Sequence, residues 1–157
     1  RQDRLATLHH PAGDVWVYDD FAHHPSAVRE TLAALRVRHA SGRLIALFEP
    51  RSATASRRTH QAEYPAAFEA ADATILAPVG RQAIAEAERL DTEAIAAAIR
   101  ERGGGAVATA SLDTVLSEAL ARTAHGDTVV LMSNGTFGDL APRLIVALTD
   151  KLLGGER

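Results

Sequence analysis

The sequence contains no cysteine, which rules out disulfides and thiolate zinc sites. Lysine is nearly missing as well: Lys151 stands alone, so the positive charge rests almost wholly on arginine. No apolar run approaches the roughly 20 residues that cross a bilayer. The opening RQDRLATLHH has no apolar secretion core. The phosphate-cradling string GxxxxGK(S/T) occurs nowhere. A formal net charge of −3 argues against a sequence-blind grip on nucleic acid, which needs many cationic phosphate contacts. The expectation is a cytoplasmic protein with neither nucleic acid nor membrane as partner.

What is present fits one α/β domain. The chain has 157 residues, 46% hydrophobic and 24% charged, which suits a single globular core. LATLHH (5–10) and DVWVYD (14–19) read as β-rich runs joined by Pro11-Ala12-Gly13, a hairpin. Val28, Leu32 and Leu35 recur at helical spacing within 26–38, and Pro25 stands where a helix start tolerates proline. RLIALF (43–48) reads as a strand buried on both faces. Further strands are expected at 73–78, 106–110 and 128–133. Helices are expected at 62–71, 91–102 with Asp91 as N-cap, 111–123 and 140–153. Strands alternating with helices give a doubly wound, mostly parallel six-stranded sheet, with one strand from the N-terminal hairpin.

In such sheets ligands bind at the carboxyl ends of the strands, and the unusual residues collect there. DDFAHHP follows the first parallel strand, EPRSATASRRTH the second, PVGR the third and SNGTFG the last. In the second loop Arg51, Arg57 and Arg58 lie within eight residues, and arginine forks suit carboxylate or phosphate. Arg51, directly after the strand, is the better candidate; Arg57 and Arg58 divide evenly between binding and a solvated loop. SNGTFGDL (133–140) exposes backbone N–H groups able to hold an anion at a helix start, or is simply a glycine turn. The pair His23-His24 lacks the i, i+4 spacing of helical metal ligands, so no metal site is expected. His9 and His10 should face solvent, and His39, His60 and His125 should be isolated surface residues. Asp19-Asp20 after a strand also fits a phosphoacceptor receiver domain, but the aspartate and lysine such a domain needs after later strands are replaced by Glu49-Pro50 and Ser133-Asn134.

The combination of DDFAHHPSAV, FEPRS and MSNGTFG resembles the C-terminal domain of the ATP-dependent Mur ligases, over nearly the whole chain. The strings are most similar to the murein tripeptide ligase branch. That resemblance implies a Rossmann-like third domain of a three-domain enzyme, with UDP-sugar and P-loop domains outside this chain; an opening without methionine and the missing P-loop agree. It implies ATP and Mg2+ as cofactors, UDP-N-acetylmuramate and murein tripeptide as substrates, and an acyl phosphate attacked by the peptide amine, in peptidoglycan recycling. The isolated domain is expected to fold but not to catalyse. By the same resemblance Asp20, Phe21 and Ala22 serve the nucleotide, with Asp20 on the ribose hydroxyls. His23 and His24 face the reacting groups, Arg51 and Ser52 hold the peptide's carboxylates, and Ser133, Asn134 and Gly135 supply donors at the acceptor site. Ala53 and Thr136 depart from the branch's usual EPRSNT and SNGGFG. The alternatives are the L-alanine-adding relative, whose loop reads PHRYTR in place of EPRS, and a non-catalytic α/β binding module.

Overall fold

The computed structural model describes residues 2–80 and 83–156. β1 (Gln2–Leu8) and β2 (Val15–Asp20) form the antiparallel hairpin. The first strand starts earlier than its β-rich run suggests and ends before His9. Polar Gln2, Asp3 and Arg4 join it because backbone pairing with Asp20, Asp19 and Tyr18 makes no demand on side chains at a sheet edge. The register shifts between Arg4 and Ala6, and Leu5 is left half-exposed at the bulge.

Beyond the hairpin the chain runs α1 (Pro25–Arg38), β3 (Leu44–Phe48), α2 (Tyr64–Ala67), β4 (Ala73–Leu76), α3 (Thr92–Glu101), β5 (Gly105–Ala108), α4 (Leu112–Arg122), β6 (Thr128–Met132) and α5 (Leu140–Leu153). Six strands lie in the order β1-β2-β6-β3-β4-β5, all parallel after the first. The central strands β3 and β6 are buried at every position, which is why they read as unbroken apolar runs. Asp91 and Ser111 cap α3 and α4, accepting from Ala94 N at 3.0 Å and Thr114 N at 3.1 Å. No helix of the described residues is long and apolar enough to cross a membrane.

The helix expected over 62–71 is cut to four residues. A 3-10 turn occupies Arg58–Glu63, and Pro65, which has no N–H, falls in the first turn of α2. At the far end Glu69 N and Ala71 N bond only three residues back, to Ala66 and Phe68. Asp72 N then turns to Leu44 O at 2.8 Å and starts the next strand. What fixes this segment is aromatic packing: Tyr64 and Phe68 lie against Phe48, with ring centroids 5.3 and 5.6 Å away.

Helices α1, α2 and α3 cover one face of the sheet, through Val28, Leu32, Tyr64 and Ile95. Helices α4 and α5 cover the other, through Val115, Ala119, Leu144 and Leu148. Strand β6 lies between β2 and β3. The chain leaving β2 and β3 turns to the first face, and the chain leaving β6 turns to the second. Neighbouring connections therefore diverge at the carboxyl ends of these three strands, the arrangement at which open α/β sheets bind ligands.

Candidate functional site

Register carries the three motif loops to one rim. Asp20, Met132 and Phe48 are aligned partners at the ends of β2, β6 and β3. One residue further, Ser133 N donates to Asp20 O at 3.1 Å and Glu49 N to Met132 O at 3.0 Å. DDFAHHP, SNGTFG and EPRS thus leave the sheet side by side.

The first loop is braced from within. Asp20 is 4% exposed, and its Oδ1 accepts from Ala22 N at 2.7 Å and Thr31 Oγ1 at 3.2 Å. The carboxylate therefore holds its own turn while forming the wall of an open groove of about 690 Å³, shared with Phe21, His23, Thr31 and Arg38. Phe21 is 61% exposed, an apolar ring face with no obvious role in the core. Ala22 also touches the groove, but its methyl is buried in the α1-side core, so it offers chiefly backbone. Neighbouring Asp19 titrates above the ordinary aspartate range, pushed up by burial first and then by Asp20 and Asp3.

His23 Nδ1 lies 2.8 Å from Phe21 O. A carbonyl only accepts, so Nδ1 carries the proton and Nε2 is left for other partners. His24 is the N-cap residue of α1 without a side-chain cap bond; its Nδ1 meets Ser26 Oγ at 3.1 Å. The edge of His24 packs on His60, centroids 4.4 Å apart, and His60 Nδ1 bonds Glu63 Oε2 at 3.0 Å. Tyr64, fully buried, donates its hydroxyl to His23 O at 2.6 Å. Burial, then Glu63, drives that hydroxyl well above the usual tyrosine range. His60 and Tyr64 thus clamp the histidine turn from the segment after β3.

Several histidines are less isolated than their sequence positions suggest. His39 is half-buried, with Nε2 2.9 Å from the Tyr18 hydroxyl and its ring against Trp16. Its imidazole titrates below the ordinary histidine value because of burial, then Arg38 and Arg4. His125 stacks on His10, centroids 3.9 Å apart, at the opposite end of the sheet from the rim, so of the hairpin pair only His9 is fully exposed.

In the second loop Arg51 crosses toward the third. A Cβ on Gly135 would fall 2.8 Å from both Cδ and Nε of Arg51, and one on Gly80 3.2 Å from its Cγ. The arginine is laid along a corridor walled by two glycines. Ser52 Oγ accepts from Ala55 N at 2.9 Å, fixing the local turn. Arg57 and Arg58 turn away: Arg57 pairs with Glu88 at 3.0 Å, and Arg58 Nε donates to Arg89 O at 2.9 Å. They brace the segment before α3. The third loop's PVGR ends on Arg81, which lies outside the described residues.

The last loop is committed differently from a simple anion cradle. Ser133 Oγ donates to Glu49 Oε1 at 2.7 Å and accepts from Gly135 N at 3.1 Å. Asn134 Oδ1 is buried and without a hydrogen-bond partner among the described residues. Glu49, 5% exposed at the end of β3, escaped the sequence reading of site residues, although it heads the EPRS string; nothing local announces that it meets Ser133 at the rim. The rim thus combines an exposed aromatic face, imidazoles, a guanidinium and buried carboxylates, a set suited to binding a polar reactant of mixed charge.

Comparison with known proteins points the same way. Residues 3–135 match the family model for "Mur ligase, glutamate ligase domain". The chain is 35% identical over 154 residues to the UDP-N-acetylmuramate–L-alanyl-γ-D-glutamyl-meso-2,6-diaminoheptandioate ligase of Escherichia coli K12, covering 94% of this chain and 31% of that protein. It is 36% identical over 142 residues to the UDP-N-acetylmuramate–L-alanine ligase of Symbiobacterium thermophilum, covering 86% of this chain and 28% of that one. A crystal structure of a murein peptide ligase from Psychrobacter arcticus superposes with a TM-score of 0.71 at 30% identity, over 90% of this chain and 29% of its own. The chain therefore spans less than a third of the length of these relatives.

Proposed function

This chain belongs to the Mur ligase, glutamate ligase domain family, and from that premise we propose that it is the C-terminal domain of an ATP-dependent ligase. The ligase joins L-alanyl-γ-D-glutamyl-meso-diaminopimelate to UDP-N-acetylmuramate in the cytoplasm, during peptidoglycan recycling. The observation that carries the reading is the convergence of DDFAHHP, EPRS and SNGTFG on one rim of the sheet.

In this reading ATP converts the muramyl carboxylate to an acyl phosphate, the peptide amine attacks it, and phosphate leaves as the amide forms. The domain's share is positioning and the exclusion of water. Phe21 offers a flat apolar face and Asp20 an adjoining carboxylate, which fits a base and a ribose diol at the 20–38 groove. The phosphate cradle and most of the magnesium site are assigned to the central domain, outside this chain. His23 Nε2 accepts from an amine N–H when neutral and donates to a phosphate oxygen when charged. His24 stands beside it, steadied by His60. Arg51 holds a peptide carboxylate through its planar fork, Ser52 shapes that loop, and the Ser133–Gly135 loop forms the opposite wall.

Identity to the L-alanine-adding relative is equally high, so acceptor choice is the discriminating experiment. The full-length protein is given ATP, UDP-N-acetylmuramate and either the tripeptide or L-alanine, and phosphate release is measured. The reading expects turnover with the tripeptide and little with L-alanine; the reverse preference assigns the alanine-adding branch, and no turnover with either refutes the ligase.

A further inference from the structure

Glu49 is a buried acid for which the proposed reaction has no direct use. Its Oε1 accepts a hydrogen bond from Ser133 Oγ at 2.7 Å and faces Arg51 Nη1 at 4.0 Å. Ser133 Oγ in turn accepts a hydrogen bond from Gly135 N. A relay thus runs from the last loop's backbone, through one hydroxyl, to a carboxylate oxygen that also looks at the guanidinium. The side chain of Glu49 is 7% exposed and that of Arg51 50%. The anchor is buried and the anchored group is half-exposed at the rim.

We propose that Glu49 is the positioning residue for Arg51. A long arginine side chain has many rotamers, and holding one costs entropy. Gly80 and Gly135 wall the corridor on its flanks but exert no pull along it. The carboxylate, facing Arg51 Nη1 at 4.0 Å, supplies a pull of this kind. By accepting the Ser133 hydroxyl's hydrogen bond it also fixes the loop that forms one of those walls. One oxygen therefore sets both the direction of the fork and the wall beside it. The inference rests on the proposed reading that Arg51 grips the peptide acceptor.

The test is a double-mutant cycle in the full-length protein, with E49Q, R51A and both together, reading ATP turnover against tripeptide concentration. Glutamine keeps an oxygen for Ser133 and removes the charge that faces Arg51. E49Q is expected to raise the KM for tripeptide roughly tenfold, within the range for coupled neighbours, with KM for ATP and kcat within about twofold. In the double variant the rise should not exceed that of R51A, because glutamine keeps an acceptor for Ser133 and the lost charge acts through Arg51. E49D keeps the charge and should lie nearer to the unmutated protein than E49Q, and thermal melts monitor folding of every variant. Multiplying KM effects, an unchanged KM in E49Q, or E49D worse than a folded E49Q overturns the inference while leaving the acceptor role of Arg51 intact. If R51A alone leaves the KM unchanged, the acceptor assignment fails and this inference falls with it.

Discussion

Gly135→Ala isolates the corridor from everything else at the rim. The added Cβ would sit 2.8 Å from Arg51 Cδ and Nε, where comfortable contact begins at about 3.5 Å. The guanidinium must retreat by roughly 0.7 Å, the difference between those distances. Its side chain is half-exposed, so the retreat is cheap for the fold. It is costly for a group that must meet a carboxylate in a fixed plane, since a misplacement of about 1 Å costs on the order of 100-fold. A roughly tenfold rise in tripeptide KM follows for this smaller shift. Stability should move the other way. Gly135 is absent from the glycines at positive φ, so alanine removes unfolded-state freedom worth about 0.4–1 kcal/mol. Steady-state kinetics and a thermal melt on the same full-length preparation read both effects. Weaker acceptor binding with an equal or higher Tm is expected. An unchanged KM in a folded variant would show that the position of Arg51 does not matter, and the corridor argument would fail.

Tyr64→Phe removes the hydroxyl that holds His23 O and should cost about 1 kcal/mol, lowering Tm by roughly 3 °C in a domain of this size; an unchanged Tm would mean the clamp contributes nothing. Asp72 gives a pH-dependent prediction. Burial pushes its carboxyl up, but the Leu44 amide and Arg36 outweigh that and hold it below the ordinary aspartate value. A carboxyl lowered on folding stabilises the protein above its unfolded pKa of about 3.9 and loses that contribution as pH falls through the folded value. Asp72→Asn should therefore lower Tm at pH 7, and the gap should close below about pH 4; a gap that stays constant down to pH 2 would contradict the assignment.

The alternation of apolar runs with helical spacing was enough to read six strands, the parallel sense of five of them and the capped start of α3, because each of these signals is local. Strand order was not readable, since β6 enters between β2 and β3 only when the whole sheet assembles. The helix over 62–71 misled because alanine-rich composition favours helix, whereas Pro65 and the aromatic contact of Tyr64 and Phe68 with Phe48 decide the segment. At the rim, residue types pointed to four loops at one edge, and the register brings DDFAHHP, EPRS and SNGTFG there. The partners of those residues were hidden. Glu49 and Ser133 are 84 positions apart, and Tyr64 and His23 41. His39 looked like a surface residue because nothing nearby in sequence reveals that Trp16 and Tyr18 cover it.

The account stands or falls on a division of labour along the rim, with the nucleotide at Asp20 and the acceptor at Arg51. Its most direct test is to measure the KM for ATP and for tripeptide in full-length Asp20→Asn and Arg51→Ala. Asparagine is chosen because its oxygen can still accept from Ala22 N and hold the turn. The account predicts that Asp20→Asn raises only the constant for ATP and Arg51→Ala only that for the tripeptide. Both substitutions moving the same constant, or neither moving any, would contradict it.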